Sequence, residues 1–497
     1  MITLYINVRI HTLDSERPAA SALLARDGLV DALYDAPPSL PGVPRVDLQG
    51  TVVCPGFIDA HTHSFEGGLY NLGADLSLAR RLDDVFGLLA STAPLSGMVF
   101  AWRFDETAIA EQRFPTCAEM DRVVPDVPCL LRRVDGHSCQ VNTAALRAID
   151  WRGHSPPDDS GLLLLEHNDI AAHWFHRQPN DEAVLRCYDR AAAIALAAGC
   201  TTVHTMVGDT DRDPLHYALL RNNLDRFPVE YLLYPQIFDA DRAASLGATR
   251  VGGCILVDGS LGSHTAALRQ PYADMPGTSG RLYRNEHNWR DFVGRAHELG
   301  LQVSAHAIGD AAIERFVAAV EVAQRQQVKK AQRGNSCDLR HAIIHCELTD
   351  DALLDRMAAA GIVAVMQPAF DRLWAAGLYT RVLGQERASR TNRLASMLSR
   401  GIHVAAGSDW YITPLDPLAG MRAAVNMHNP AESLSPQQAL GLWTTGAAYL
   451  SRDENRLGHL SPGLQADFVC LADDPLGGDE PPAVLRVVKR GETVYET

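Results

Sequence analysis

Val52-Val53-Cys54-Pro55-Gly56-Phe57-Ile58-Asp59-Ala60-His61-Thr62-His63 runs from an apolar strand into two histidines one residue apart. Side chains alternate faces along a strand, so His61 and His63 leave its end on the same side. Two imidazoles aimed at one point are half of a metal site. With 19 histidines in the chain, a lone His-X-His pair arises easily by chance. The rest of the sequence gives this pair its weight. His306 ends Leu301-Gln302-Val303-Ser304-Ala305, His345 ends Ala342-Ile343-Ile344, and Asp409 ends Val404-Ala405-Ala406-Gly407-Ser408. Each stands at the C-terminal end of a short apolar run flanked by turn residues, where a (β/α)8 barrel keeps its catalytic groups. The competing reading is a set of unrelated polar strand caps.

Outward from that stretch, eight candidate barrel strands cover 53–58, 200–205, 229–234, 253–257, 302–306, 341–345, 362–367 and 403–408. Helical patterns such as 182–198, 289–299, 311–327 and 351–360 separate most of them. That alternation predicts βα units around a parallel sheet. The stretch between the first two strands is too long for a loop, so residues 64–180 are expected to form an inserted subdomain that bears on specificity. Within it, Leu130-Leu131-Arg132-Arg133-Val134-Asp135-Gly136-His137 reads as one more strand directed at the pocket. Short alternating strands at both termini are expected to pair into a β-sandwich of 1–50 with 455–497, leaving 51–454 to the barrel.

A chain of 497 residues exceeds the usual single domain, and 46% hydrophobic residues supply a sizeable core. A net charge of −15 argues against nucleic acid or an anionic membrane as partner and leaves a small-molecule substrate. The opening residues lack the basic segment and cleavage site of a signal peptide, and no apolar stretch reaches the roughly 18 residues of a membrane span. Ten cysteines without a Cys-X-X-Cys pair suggest free thiols in a reducing cytoplasm. Lysine occurs only at 329, 330 and 489, so no barrel strand carries one.

Cys54-Pro55-Gly56-Phe57-Ile58-Asp59-Ala60-His61-Thr62-His63 resembles the signature of the amidohydrolase superfamily. Val257-Asp258-Gly259-Ser260-Leu261-Gly262-Ser263, Ala305-His306-Ala307-Ile308-Gly309-Asp310, His341 to His345, Gly407-Ser408-Asp409 and the tail from Leu434 to Asp467 narrow the resemblance. Together they are similar to the amidohydrolase-3 branch, which contains N-substituted formamide deformylases. The resemblance implies that His61 and His63 bind the more buried metal. It makes His306 and His345 the ligands on the fifth and sixth strands, and Asp409 the eighth-strand aspartate that touches metal and shuttles the proton. The residue types suit that chemistry independently: neutral imidazole favours zinc, which lowers the pKa of a coordinated water to about 7, and a carboxylate beside that water takes its proton.

The sequence departs from the pattern at Cys254. There the resemblance leads one to expect a lysine, carboxylated to bridge two metals, four residues before Asp258. Three readings stand. The Cys254 thiolate bridges two metals, although its side chain is shorter; the site holds one metal; or Cys254 is core filler and an acid such as Glu166 supplies any bridge.

Candidate substrate-binding groups are His137, Arg133, Glu166 and His204. His137 ends the inserted strand and is suited to bonding a substrate carbonyl, with a histidine satisfied inside the insertion as the alternative. Glu166 closes Leu162-Leu163-Leu164-Leu165, His204 ends the second barrel strand, and Arg133 meets either an anionic substrate group or Asp135. The expected activity is hydrolysis of a non-peptide C–N bond, in a linear amide such as an N-substituted formamide or in a cyclic one. It would use one or two divalent ions, zinc by ligand type, and no organic cofactor. Deamination of an aminated heterocycle by a single-metal site is the alternative, and a non-catalytic barrel is the reading from another class. An exposed barrel flank leaves room for a homodimer.

Overall fold

The computed structural model describes residues 2–134, 136, 138–154, 158, 160–208, 213–330, 338–477 and 480–497. They form two compact units, Met1–His63 with Ala192–Thr497, and Ser64–Ala191.

The first unit contains eight parallel strands: β1 (Phe57–Thr62), β2 (Cys200–Val207), β3 (Glu230–Pro235), β4 (Arg250–Leu256), β5 (Gln302–Ala307), β6 (Ala342–His345), β7 (Val363–Met366) and β8 (Val404–Ala406). They are arranged in two sheets, ordered β3-β2-β1 and β4-β5-β6-β7-β8. A parallel bridge from Thr62 to Trp410 links the chain just beyond β8 to β1. Helices alternate with the strands, among them Glu286–Glu298, Asp310–Lys330 and Asp351–Ala359. Strands β5 to β8 are buried at every position, as expected of parallel strands covered on both faces. The period-two logic orients them. Ile58 and Ala60 join a core cluster with Ala447, Ala448 and Leu450 of the helix Thr445–Ser451, so Asp59 and His61 face the opposite way.

The first barrel strand lies later than the sequence predicts. The expected 53–58 is divided between two elements: Arg45–Pro55 belongs to the terminal sheet, and β1 begins at Phe57. The apolar run is continuous because both neighbours bury it, so hydropathy alone carries no mark of the junction. Gly56 is the hinge. Its N–H donates to Asp467 O at 2.9 Å, and a Cβ there would collide with the Thr201 side chain.

The terminal strands build one eight-stranded sheet in the order Glu492–Glu496, Val484–Lys489, Phe468–Leu471, Arg45–Pro55, Ile2–His11, Ala22–Arg26, Leu29–Tyr34, with Ala19–Ala20 pairing on Ile2–His11. Tyr5, Ile10, Leu23, Val53, Phe468 and Val488 form its core.

The second unit folds around a five-stranded sheet ordered Leu162–Leu164, Ser138–Val141, Cys129–Arg133, Val99–Phe104, Ala74–Asp75. Leu82, Val85, Leu89, Phe104, Met120 and Leu131 pack beneath it. The strand expected over 130–137 ends at Arg133. Among the described residues no helix is long and apolar enough to cross a membrane, and nine cysteines are buried free thiols.

Candidate metal centre

Strand ends bring six of the expected side chains together. His61 lies near the end of β1 and His63 follows it; Cys254 lies in β4, His306 in β5, His345 at the end of β6, and Asp409 just beyond β8. Two overlapping clusters result. Ligand atoms of His61, His63 and Asp409 lie within 4.8 Å of one another, and so do those of His61, Cys254 and His345. Asp409 Oδ1 is 2.9 Å from His61 Nε2 and 3.3 Å from His63 Nε2. His306 completes the group, with Nδ1 3.8 Å from Cys254 Sγ and its ring 4.5 Å from that of His345.

The charges are set by this crowding. Burial pushes the Cys254 thiol up, yet His306, His345, His61 and His63 around the sulfur hold it well below its usual value. Cys254 differs in this from the buried thiols of Cys129, which burial drives up, and Cys346, which burial and the Glu347 charge drive up. Burial likewise lifts Asp409, but the His61 and His63 rings overcome it and hold the carboxyl far below the usual range. Burial lowers His306, and the Cys254 and Asp258 charges more than reverse this, to about 9.

A divalent cation is implied by the resemblance, and the residues fit one. His61 Nδ1 is buried without a partner, and His61 Nε2 and Asp409 Oδ1, although 2.9 Å apart, are not aligned as a hydrogen bond, which is costly unless something else satisfies these atoms. Imidazoles, a thiolate and a carboxylate are the donor set of a borderline-soft cation.

Outer partners fix which nitrogen each downstream histidine presents. His306 Nε2 donates to Gly259 O at 3.1 Å, leaving Nδ1 toward Cys254. His345 Nδ1 donates to Gln367 Oε1 at 2.7 Å, leaving Nε2. The Gln367 amide is itself held by donating to Val365 O at 3.3 Å. Asp59 accepts from the backbone N–H groups of His61 and Ser408, tying the β1 and β8 ends together, and Asp409 N donates to His61 O at 2.9 Å. His345 and Asp409 occupy left-handed backbone, φ +72° and +55°. A non-glycine residue stays there only when its surroundings over-determine it.

The proposed substrate-binding residues are placed differently. His204 is fully buried in β2, with Nδ1 3.0 Å from Tyr234 Oη and Nε2 unpartnered; burial and the nearby Arg250 hold it neutral, well below its usual value. Arg133, in the second unit, pairs bidentately with Glu106 at 2.8 Å. Glu166 begins a helix in that unit, largely exposed, 3.4 Å from His154. His137 lies outside the described residues, as does Asp135, one of the two alternatives for Arg133. His341, left out of the sequence-derived site, precedes β6; its Nδ1 accepts from Val303 N at 2.9 Å and its Nε2 is 2.9 Å from His297 Nδ1. Sequence reasoning missed Gln367, although the rule that picked the ligands also picks a polar residue directly after the apolar run Val363-Ala364-Val365-Met366.

The amidohydrolase family model matches residues 45–495. The YtcJ protein of Bacillus subtilis is 27% identical over 98% of this chain and 98% of its own length. N-substituted formamide deformylase of Arthrobacter pascens is 24% identical over 95% of this chain and 93% of its own. Among solved structures, an uncharacterised metal-dependent hydrolase from Pyrococcus furiosus superposes with a TM-score of 0.81 at 26% identity, covering 96% of this chain and all of that one.

Proposed function

The chain belongs to the amidohydrolase family, and on that premise we propose that it is a zinc hydrolase of non-peptide C–N bonds, acting on a linear or cyclic amide such as an N-substituted formamide. The two parallel sheets are read as one (β/α)8 barrel, with the donor cluster at the C-terminal ends of its strands. The observation that carries the reading is the pair of overlapping clusters sharing His61. His61, His63 and Asp409 would hold one ion; His345, His306 and Cys254, with His61 between, would hold the second. Bound there, divalent zinc would supply Lewis acidity toward an acyl oxygen and toward water.

The chain's own groups do the rest. Asp409, ionised between His61 and His63, takes the proton of the attacking water at a carboxylate oxygen and delivers it to the leaving nitrogen. Gln367 Oε1 and Gly259 O engage His345 Nδ1 and His306 Nε2, so that the other nitrogen of each ring would be the one to hold the ion. His204, neutral and anchored on Tyr234, is assigned to substrate recognition. The eight other buried cysteines among the described residues, all free thiols, support a reducing, cytoplasmic setting.

Elemental analysis of metal-replete protein, joined to a hydrolysis screen of N-formyl, other N-acyl and cyclic amides, tests the reading. Two ions per chain with amide turnover is the expected result. One ion per chain with turnover of an aminated heterocycle would replace it with the deaminase reading.

A further inference from the structure

Strand β4, which carries Cys254, contains the widest break in register of the eight parallel strands. Val251 pairs with Val303 and Ile255 with Ala305, so Gly252, Gly253 and Cys254 stand opposite the single residue Ser304. The surplus is taken up by two consecutive glycines in left-handed backbone, φ +98° at Gly252 and +66° at Gly253. An ordinary side chain pays roughly 1–2 kcal/mol for that conformation. Neither position has room for one. A Cβ on Gly252 would strike the Ser304 carbonyl oxygen, and one on Gly253 would strike Met206 Sδ and lie 3.0 Å from Tyr234 Cβ.

Extra residues in one strand displace its backbone and re-aim the next side chain. Here that side chain is Cys254, packed with Met206 and Tyr234. A thiol sits one carbon from the backbone, so its sulfur meets imidazoles on β1, β5 and β6 only if the strand itself carries it toward them. A cysteine acting as core filler needs no such distortion, and a plain strand would bury it equally well.

We propose that the Gly252–Gly253 bulge is a positioning device that delivers the Cys254 sulfur to His61, His306 and His345. The proposal rests on the reading of Cys254 as a metal ligand, and the two fail separately in the following experiment. Cobalt(II) loaded in place of zinc reports sulfur directly, because thiolate ligation adds a near-ultraviolet charge-transfer band that nitrogen and oxygen donors do not give. The wild type and Met206→Ala, which clears the space beside Gly253, should both show the band, and Cys254→Ser should lose it.

In the Met206→Ala background, Gly253→Asn retains the bulge because asparagine tolerates left-handed backbone. It should keep the band. Gly253→Ala in the same background should lose it and release metal to a chelator about 10–100-fold more readily, with the circular dichroism spectrum unchanged. If Asn and Ala behave alike in folded protein, the bulge does not position the sulfur, while Cys254 remains a ligand. If either fails to fold, the same pair at Gly253 is read in the roomier Met206→Gly background. A wild type without the band overturns the ligand reading and the positioning role together.

Discussion

At Gln367 a single hydrogen bond decides which nitrogen of His345 faces the sulfur of Cys254. Gln367→Leu removes that acceptor and frees the ring to flip, whereas Gln367→Glu keeps it. Metal retention against a chelator should fall about 10–100-fold in the leucine variant and hold in the glutamate variant; equal retention in both would show that the ring needs no such anchor. Asp409→Asn is the complementary test of proton transfer. An amide cannot accept the proton, so kcat should drop about 10²–10⁴-fold with the fold intact, and an unchanged pH–rate profile would rule Asp409 out as the shuttle. The ligand types were legible in the sequence because period-two strand geometry and strand-end position suffice to aim His61, His63 and Asp409. Gln367 was equally well placed but has no titratable group to draw attention. The surroundings of Arg133 and Glu166 were not legible, because Glu106 and His154 are distant in sequence and no periodicity joins them.

Between elements, the loop after β4 is fastened to the loop after β5 by one buried carboxylate. Asp258 accepts from Ala267 N at 2.8 Å, Ile308 N at 3.0 Å and Gly309 N at 2.8 Å. Burial lifts its pKa to about 6 against the pull of His306 and these N–H groups. Asp258→Ala leaves three buried donors unpaired, a loss of about 3 kcal/mol or more. Because the same loop holds Gly259 O against His306 Nε2, metal retention should fall with stability in denaturant titrations run with and without zinc. A variant as stable as the wild type would show that water serves these donors equally well. Seven of the eight parallel strands were readable to within a few residues, since an apolar run between turn residues has one interpretation when helices flank it. The first was displaced because two sheets share one apolar run, and the β4 bulge was invisible because a Gly-Gly pair reads equally as a turn.

At the scale of the molecule, residues 1–63 and 192–497 form a single compact unit in which the terminal sheet continues directly into β1 through Pro55 and Gly56. Asp467 sits at that junction, its carboxyl accepting from Arg490 N at 2.6 Å and its carbonyl from Gly56 N. Burial raises its pKa to about 6, with the Arg490 N–H and Lys489 opposing. A carboxyl raised above its unfolded value near 3.8 costs stability at neutral pH, where it is ionised in both states. That cost fades as pH falls through 6, because the folded state takes up the proton first. Asp467→Asn should therefore melt higher than the wild type at pH 7.5, by about 1–3 kcal/mol of stability, and lose most of the advantage near pH 4; a pH-independent difference would place the effect elsewhere. The central claim is a metal centre in which Cys254 stands beside four histidines and Asp409. X-ray absorption at the zinc edge, on protein of measured zinc content, tests it most directly. Two zinc ions per chain with a sulfur scatterer at about 2.3 Å is the predicted result; a single ion surrounded only by nitrogen and oxygen would contradict it.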